Sequence, residues 1–165
     1  LSPFNRSNSM TPAIELARRQ GIPHTVHSYE HDPDCSSYGT EAAEALGLDK
    51  GRVFKTLVVD LGGRLAVAVL PVSHMLGLKL VAKAVGAKKA VMAEKHTVER
   101  STGYVLGGVS PLGQKKRLPT YIDSSARDYP TIFVSAGRRG LEIELAGEDL
   151  SRLTGGSFAE LCQND

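Results

Sequence analysis

The chain has 165 residues, 41% apolar and 23% charged, with a formal net charge of +2. This is an ordinary globular composition, long enough for one domain with a real core. No apolar run approaches the roughly 18 residues of a membrane span, and a charge of +2 is too small to establish nucleic-acid binding. Two cysteines, Cys35 and Cys162, stand far apart without CxxC or zinc-type spacing, which argues against a disulfide framework.

The first nine residues, LSPFNRSNS, have neither a basic start nor an apolar stretch. They do not read as a signal peptide; residues 1–9 look like a cloning remnant and Met10 like the natural start. The expectation is a cytoplasmic protein with one domain over 10–165.

Thr11-Pro12 opens a helix, with Thr as cap and Pro in the first turn, and Gly21 with Ile22-Pro23 ends it. His24 to Tyr29 reads as a strand, and EHDPDCSSYG after it as a loop. Thr40 caps a short helix through Leu46, closed by Gly47. Val53 to Leu61 and Arg64 to Leu70 are strands around a Gly62-Gly63 hairpin turn. A helix over Leu78 to Val85, a short strand at Ala90 to Met92 and a helix over Glu94 to Arg100 follow. Gly103 to Gly113 holds four glycines and a proline, so a shaped loop is expected. Strands at Thr120 to Asp123, Thr131 to Ser135 and Leu141 to Leu145 precede a closing helix, Glu148 to Leu153. There is no repeat or interdomain linker. The class is α+β, with six or seven short strands in a deformed, barrel-like sheet flanked by helices.

Strand alternation puts Lys55 on the same face as Val53 and Leu57. Two readings are open: a strand-end lysine whose stem covers apolar surface, or a cation facing a pocket, able to hold phosphate or a developing oxyanion. The run Tyr104 to Gly113 can bring backbone amides close to a ligand at Gly107, Gly108 and Ser110, or be only a turn. It lacks the GxxxxGK[ST] spacing of a P-loop. Ser135-Ala136-Gly137 ends a strand where a hydroxyl and free amides can meet. His24, His27, His31 and Cys35 do not form a convincing metal set, because His24 and His27 should point to opposite faces. No GxSxG elbow or Cys-His arrangement is present. No metal and no cofactor are expected.

MTPAI at Met10, HSYEHDP at His27, FKTLVV at Phe54, ERSTGYVLGGVSPLGQKKR at Glu99 and VSAGRRGLEIE at Val134 occur in order along most of the chain. Together they resemble the YbaK family of Cys-tRNA(Pro) deacylases, in the superfamily that includes prolyl-tRNA synthetase editing domains. The resemblance implies a trans-editing aminoacyl-tRNA deacylase with its pocket at the mouth of a deformed barrel. It assigns Lys55 as the essential lysine, with Thr56 beside it. Tyr29, Tyr38, Gly107, Gly108, Ser110, Ser135 and Gly137 are the expected substrate contacts. Tyr38 stands where the family carries Phe and Ala136 where it carries Gly, changes that would tune pocket width. The implied partners are mischarged tRNA(Pro), its acceptor stem on the basic clusters Lys88-Lys89, Lys115-Lys116-Arg117 and Arg138-Arg139, and prolyl-tRNA synthetase. The implied nucleophile is the substrate's own thiol, attacking its ester carbonyl. Alternatives are a deacylase for another small residue such as Ala-tRNA(Pro), a noncatalytic tRNA- or synthetase-binding module, and a small-molecule esterase.

Overall fold

A computed structural model describes residues 10–35 and 37–164; the proposed remnant at 1–9 lies outside them. Chain order is α1 (Pro12–Arg19), β1 (Thr25–Ser28), α2 (Tyr38–Leu46), β2 (Phe54–Asp60), β3 (Leu65–Pro71), α3 (Leu78–Val85), β4 (Val91–Met92) and α4 (Lys95–Thr102). Then come β5 (Thr120–Asp123), a 3-10 turn (Ser124–Asp128), β6 (Ile132–Arg138), β7 (Leu141–Leu145), α5 (Gly147–Thr154) and β8 (Ser157–Ala159). Among the described residues no helix is long and apolar enough to cross a membrane.

The α+β class is as expected, but the strands divide into two sheets. One is β1-β7-β6; the other is β4-β2-β3-β5-β8. The first is antiparallel, whereas β5 runs parallel to both β3 and β8. A parallel bridge between Val53 and Phe133, reinforced by Phe133 N donating to Arg52 O at 3.1 Å, joins the sheets where β2 begins. The count is eight rather than six or seven among the described residues. The extra strand, β8, is three residues long behind Gly155-Gly156 and has no run of alternation to announce it.

The β3 sequence LAVAVL is apolar throughout because both its faces are covered. Val67 and Val69 join Val58, Ile122, Val134 and Ile143 in the main core between the sheets. Ala66, Ala68 and Leu70 turn the other way and pack with Val59, Val81 and Leu161. Helix α1 plugs the main core through Ala13, Ile14 and Ala17. Fully burying a side chain such as Ile14 is worth about 1.5–3 kcal/mol. Thr11 caps this helix by accepting a bond from Ile14 N at 3.2 Å, and its hydroxyl donates to Ala136 O, tying α1 to β6.

Most element ends shift by one or two residues from the sequence reading, and two of the differences bear on the site. Helix α2 starts at Tyr38, so Thr40 lies inside its first turn; Ser37 holds the cap position without a side-chain cap bond. Strand β6 does not stop at Ser135. It passes through a bulge and pairs again from Arg138 to Leu141, with Gly137 at φ +107° carrying the irregularity.

Candidate active site

A cavity of about 330 Å³ opens beside β2, a size suited to a small ligand. Strand β2 makes it possible because its outer edge is only partly covered: β4 pairs with Val59 and Asp60 alone. Val72 N donates to Val53 O, and Ala93 N donates to Val58 O. The alternation of an antiparallel ladder then turns the amide and carbonyl of Thr56 away from β3, on the cavity side. Thr56 Oγ1 is also the one buried side-chain polar atom among the described residues without a hydrogen-bond partner. Unsatisfied groups of this kind are costly in a mere wall and call for an explanation.

Lys55 precedes Thr56 and lines the same cavity. It pairs with Leu70, whose side chain belongs to the second core cluster, so the lysine stem leaves β2 along that apolar face. Burial draws the pKa of its half-buried ammonium below the ordinary value, and the Cys162 thiol acts in the opposite direction. No ion pair among the described residues includes Lys55. An ammonium held this way remains available for an anion.

The far wall is the outward face of the three-stranded sheet. In LEIEL, Leu141, Ile143 and Leu145 enter the main core, which sends Glu142 and Glu144 to the opposite face. Glu144 is engaged: it bonds Thr131 at 2.6 Å, His27 at 2.8 Å and Arg52 at 3.3 Å. Glu142 has no ion-pair partner among the described residues, lines the cavity and is only 6% exposed. It stands opposite Ser135 on β6. Burial pushes its carboxyl up to about 8, and it also pushes the Tyr29 phenol up to about 12. Both are therefore neutral at pH 7.

Arg139 closes one side. Its guanidinium lies 3.7 Å from the centre of the Tyr38 ring, its Nη1 is 3.4 Å from His31 Nε2, and its Nη2 reaches Leu106 O at 3.5 Å. His31 Nδ1 is in turn 2.7 Å from Glu41 Oε1. Three segments distant in sequence meet at this one side chain. Gly107 sits against it at φ +94°, and a Cβ there would approach Tyr38 Cε2 to 2.6 Å and Arg139 Nε to 2.7 Å. Only glycine fits that backbone and that space.

Residues 32–153 match the family model for the aminoacyl-tRNA editing domain. The chain belongs to that family. Among similar proteins, the Enterococcus faecalis protein named "Putative Cys-tRNA(Pro)/Cys-tRNA(Cys) deacylase EbsC" is 42% identical over 158 residues, covering 94% of this chain and 95% of its own. A proline–tRNA ligase of Shouchella clausii is 34% identical over 100 residues, 61% of this chain but 18% of the ligase. A solved structure described as "a putative trans-editing enzyme for prolyl tRNA synthetase" superposes with a TM-score of 0.78, at 26% identity and 99% coverage of both chains.

In this editing domain Lys55, Thr56, Tyr29, Tyr38, Gly107 and Ser135 all line the one cavity. Gly108, Ser110 and Gly137 are not among its lining residues. Gly108 packs on the backbone of Arg138. Ser110 is fully buried; its Oγ accepts from Leu112 N and its carbonyl from Gln114 Nε2, so it shapes the loop. Gly137 lies against the Tyr104 ring and donates its amide to Ser135 Oγ at 3.1 Å. The basic clusters also part company: Arg138 and Arg139 line this cavity, while Lys116 and Arg117 line a second groove with Arg19. Sequence reasoning missed Glu142 and Arg139. The available signal was the second position of LEIEL, an acid alternating with core residues directly across a glycine turn from Ser135.

Proposed function

We propose that this chain is a trans-editing deacylase that removes cysteine from tRNA(Pro). The observation that carries the reading is a single cavity uniting Lys55 with the outward backbone of Thr56 in a chain of the aminoacyl-tRNA editing domain family. The 42% identity to EbsC over nearly the whole of both chains supports cysteine as the residue removed. Proline and cysteine are similar in size, so a synthetase pocket built for proline rejects cysteine poorly and a second site must edit. The ligase and trans-editing relatives support prolyl-tRNA synthetase as partner, and such work belongs in the cytoplasm.

The cavity holds a cation and main-chain groups but no histidine or cysteine among its described lining residues. Ser135 Oγ already accepts the Gly137 amide, and the Glu142 carboxyl opposite it is protonated at pH 7 and so a poor general base. Cys162, with its thiol pushed up to about 12 by burial, stays protonated. A protein nucleophile is therefore poorly provided for, whereas the substrate carries one. In our reading the cysteinyl Sγ attacks its own carbonyl carbon, forming the C–S bond of a four-membered thiolactone. The C–O bond to the terminal ribose breaks, and the thiol proton ends on the departing hydroxyl. Water then opens the thiolactone to free cysteine. Lys55 and the Thr56 amide face the region where negative charge builds on the carbonyl oxygen, and donors aimed there lower the barrier. Holding the thiol against the carbonyl supplies the rest, less than the best intramolecular cases because the ring is strained.

Cysteine methylated on sulfur tests this directly. S-methylcysteinyl-tRNA(Pro) should be cleared at least about 100-fold more slowly than Cys-tRNA(Pro), the scale of losing a positioned reacting group. Equal rates in a single-turnover assay would remove the substrate thiol from the mechanism.

A further inference from the structure

The buried Glu142 is the group that this mechanism does not use. A carboxyl at 6% exposure without a cationic partner is an expensive thing to keep in a cavity wall. Glu144, two residues along the same strand face, shows what a structural acid looks like here, with Thr131, His27 and Arg52 all around it. Glu142 is surrounded differently. Across β6 it faces the Ser135 hydroxyl; across β1 it is opposite His27, whose ring is turned to Glu144. The Tyr29 phenol is its electrostatic neighbour from the β1 side. Lys55, Arg138 and Arg139 share the cavity, and the Arg139 guanidinium is committed to Tyr38 and His31. No ion pair among the described residues includes Glu142, so the positive charge that would ionise it is one a ligand can bring.

We propose that Glu142 is the anchor for the α-ammonium group of the aminoacyl ester, a specificity-determining contact between the cavity wall and the amino end of the substrate. This rests on the aminoacyl-tRNA reading above. Every aminoacyl ester carries that ammonium, whereas a peptidyl or N-acylated ester does not, so the anchor restricts the cavity to free aminoacyl groups. It also orients the substrate: with the ammonium at Glu142 on one wall and the carbonyl toward Thr56 and Lys55 on β2, the side chain is held between them. Before a ligand binds, the carboxyl holds its proton at pH 6. An incoming ammonium favours the ionised form, so the proton leaves to solvent and the ion pair replaces the acid. Binding thus releases about one proton per ligand at pH 6.

The probe is a hydrolysis-resistant 3′-amide-linked cysteinyl adenosine and its N-acetyl counterpart, titrated calorimetrically at pH 6 in two buffers of different ionisation heat. The wild type should bind the free amine at least about tenfold more tightly than the N-acetyl compound and release close to one proton, as expected for a charge-assisted contact. In Glu142→Gln the preference should fall to about onefold and the proton release should vanish, while Glu142→Asp should retain both in part. A merely structural role for Glu142 would not move the proton count. Proton release and amine preference persisting in Glu142→Gln overturn the anchor alone, as does equal wild-type binding of both compounds. Failure of the wild type to bind either compound overturns the aminoacyl-ester reading and the anchor with it.

Discussion

Replacing Lys55 with alanine should reduce deacylation of Cys-tRNA(Pro) by about 100-fold or more in kcat/KM, the usual scale for removing a group that stabilises a developing oxyanion. The fold should survive. The residue is half-buried with its stem on an apolar face, and it is in no ion pair among the described residues. Its truncation leaves neither a buried orphan charge nor a large cavity, so the unfolding free energy should change by no more than about 1 kcal/mol. Lys55→Arg keeps a cation but changes its shape and reach, and should recover only part of the rate. Single-turnover clearance and urea melts of the same preparations separate loss of chemistry from loss of structure. A Lys55→Ala protein that clears substrate at the normal rate contradicts the assignment.

Glu142→Gln should make the protein more stable, increasingly so as pH rises. Below about pH 4.5 the wild-type carboxyl is protonated whether the chain is folded or unfolded, and burial of the neutral acid adds no titration cost. Between 4.5 and about 8 the unfolded chain gives up this proton while the folded chain keeps it. The unfolded state then binds fewer protons, so stability falls with rising pH. At about 1.4 kcal/mol per pH unit, the accumulated cost by pH 8 is on the order of 5 kcal/mol, a large part of a typical domain's 5–15 kcal/mol. Glutamine has nearly the same shape and no proton to lose. The gap between variant and wild type in urea should therefore be small at pH 4.5, open steadily to about pH 8 and then level off. A gap independent of pH would show that this carboxyl does not titrate as the buried geometry requires. A stabilising substitution at a cavity residue is also what is expected where function, not folding, retains the acid.

Much of this architecture was readable from local signals. The Thr11-Pro12 start of α1, the Gly62-Gly63 hairpin, β5 and β7 follow from caps, turn residues and alternation that act within a few positions. Strand β8 and the true start of α2 did not, because each depends on tertiary pairing: β8 is defined by its ladder to β5, and Tyr38 by its stacking beneath Arg139. The site divides in the same way. Lys55 and Thr56 stand out through their motif, and Tyr29, Tyr38, Gly107 and Ser135 converge with them on one cavity. Gly108, Ser110 and Gly137 belong to the same glycine-rich stretches, yet the chain spends them on loop shape and packing. Nothing local separates the two uses; what separates them is the neighbour each position meets, Tyr38 and Arg139 at Gly107, the Arg138 backbone at Gly108 and the Tyr104 ring at Gly137. Glu142 escaped because its significance lies in the partners it lacks, and a missing partner is visible only once the neighbours are in place.

Editing of cysteine on tRNA(Pro) is tested by an ester-clearance assay. tRNA(Pro) charged with cysteine, alanine or proline is incubated with the purified chain, with and without prolyl-tRNA synthetase, and the loss of each ester is followed. Cys-tRNA(Pro) should be cleared well above its spontaneous rate and faster than the alanyl and prolyl forms. Clearance of Cys-tRNA(Pro) no faster than spontaneous hydrolysis, or preferential clearance of Ala-tRNA(Pro), would rule out cysteine editing as its function.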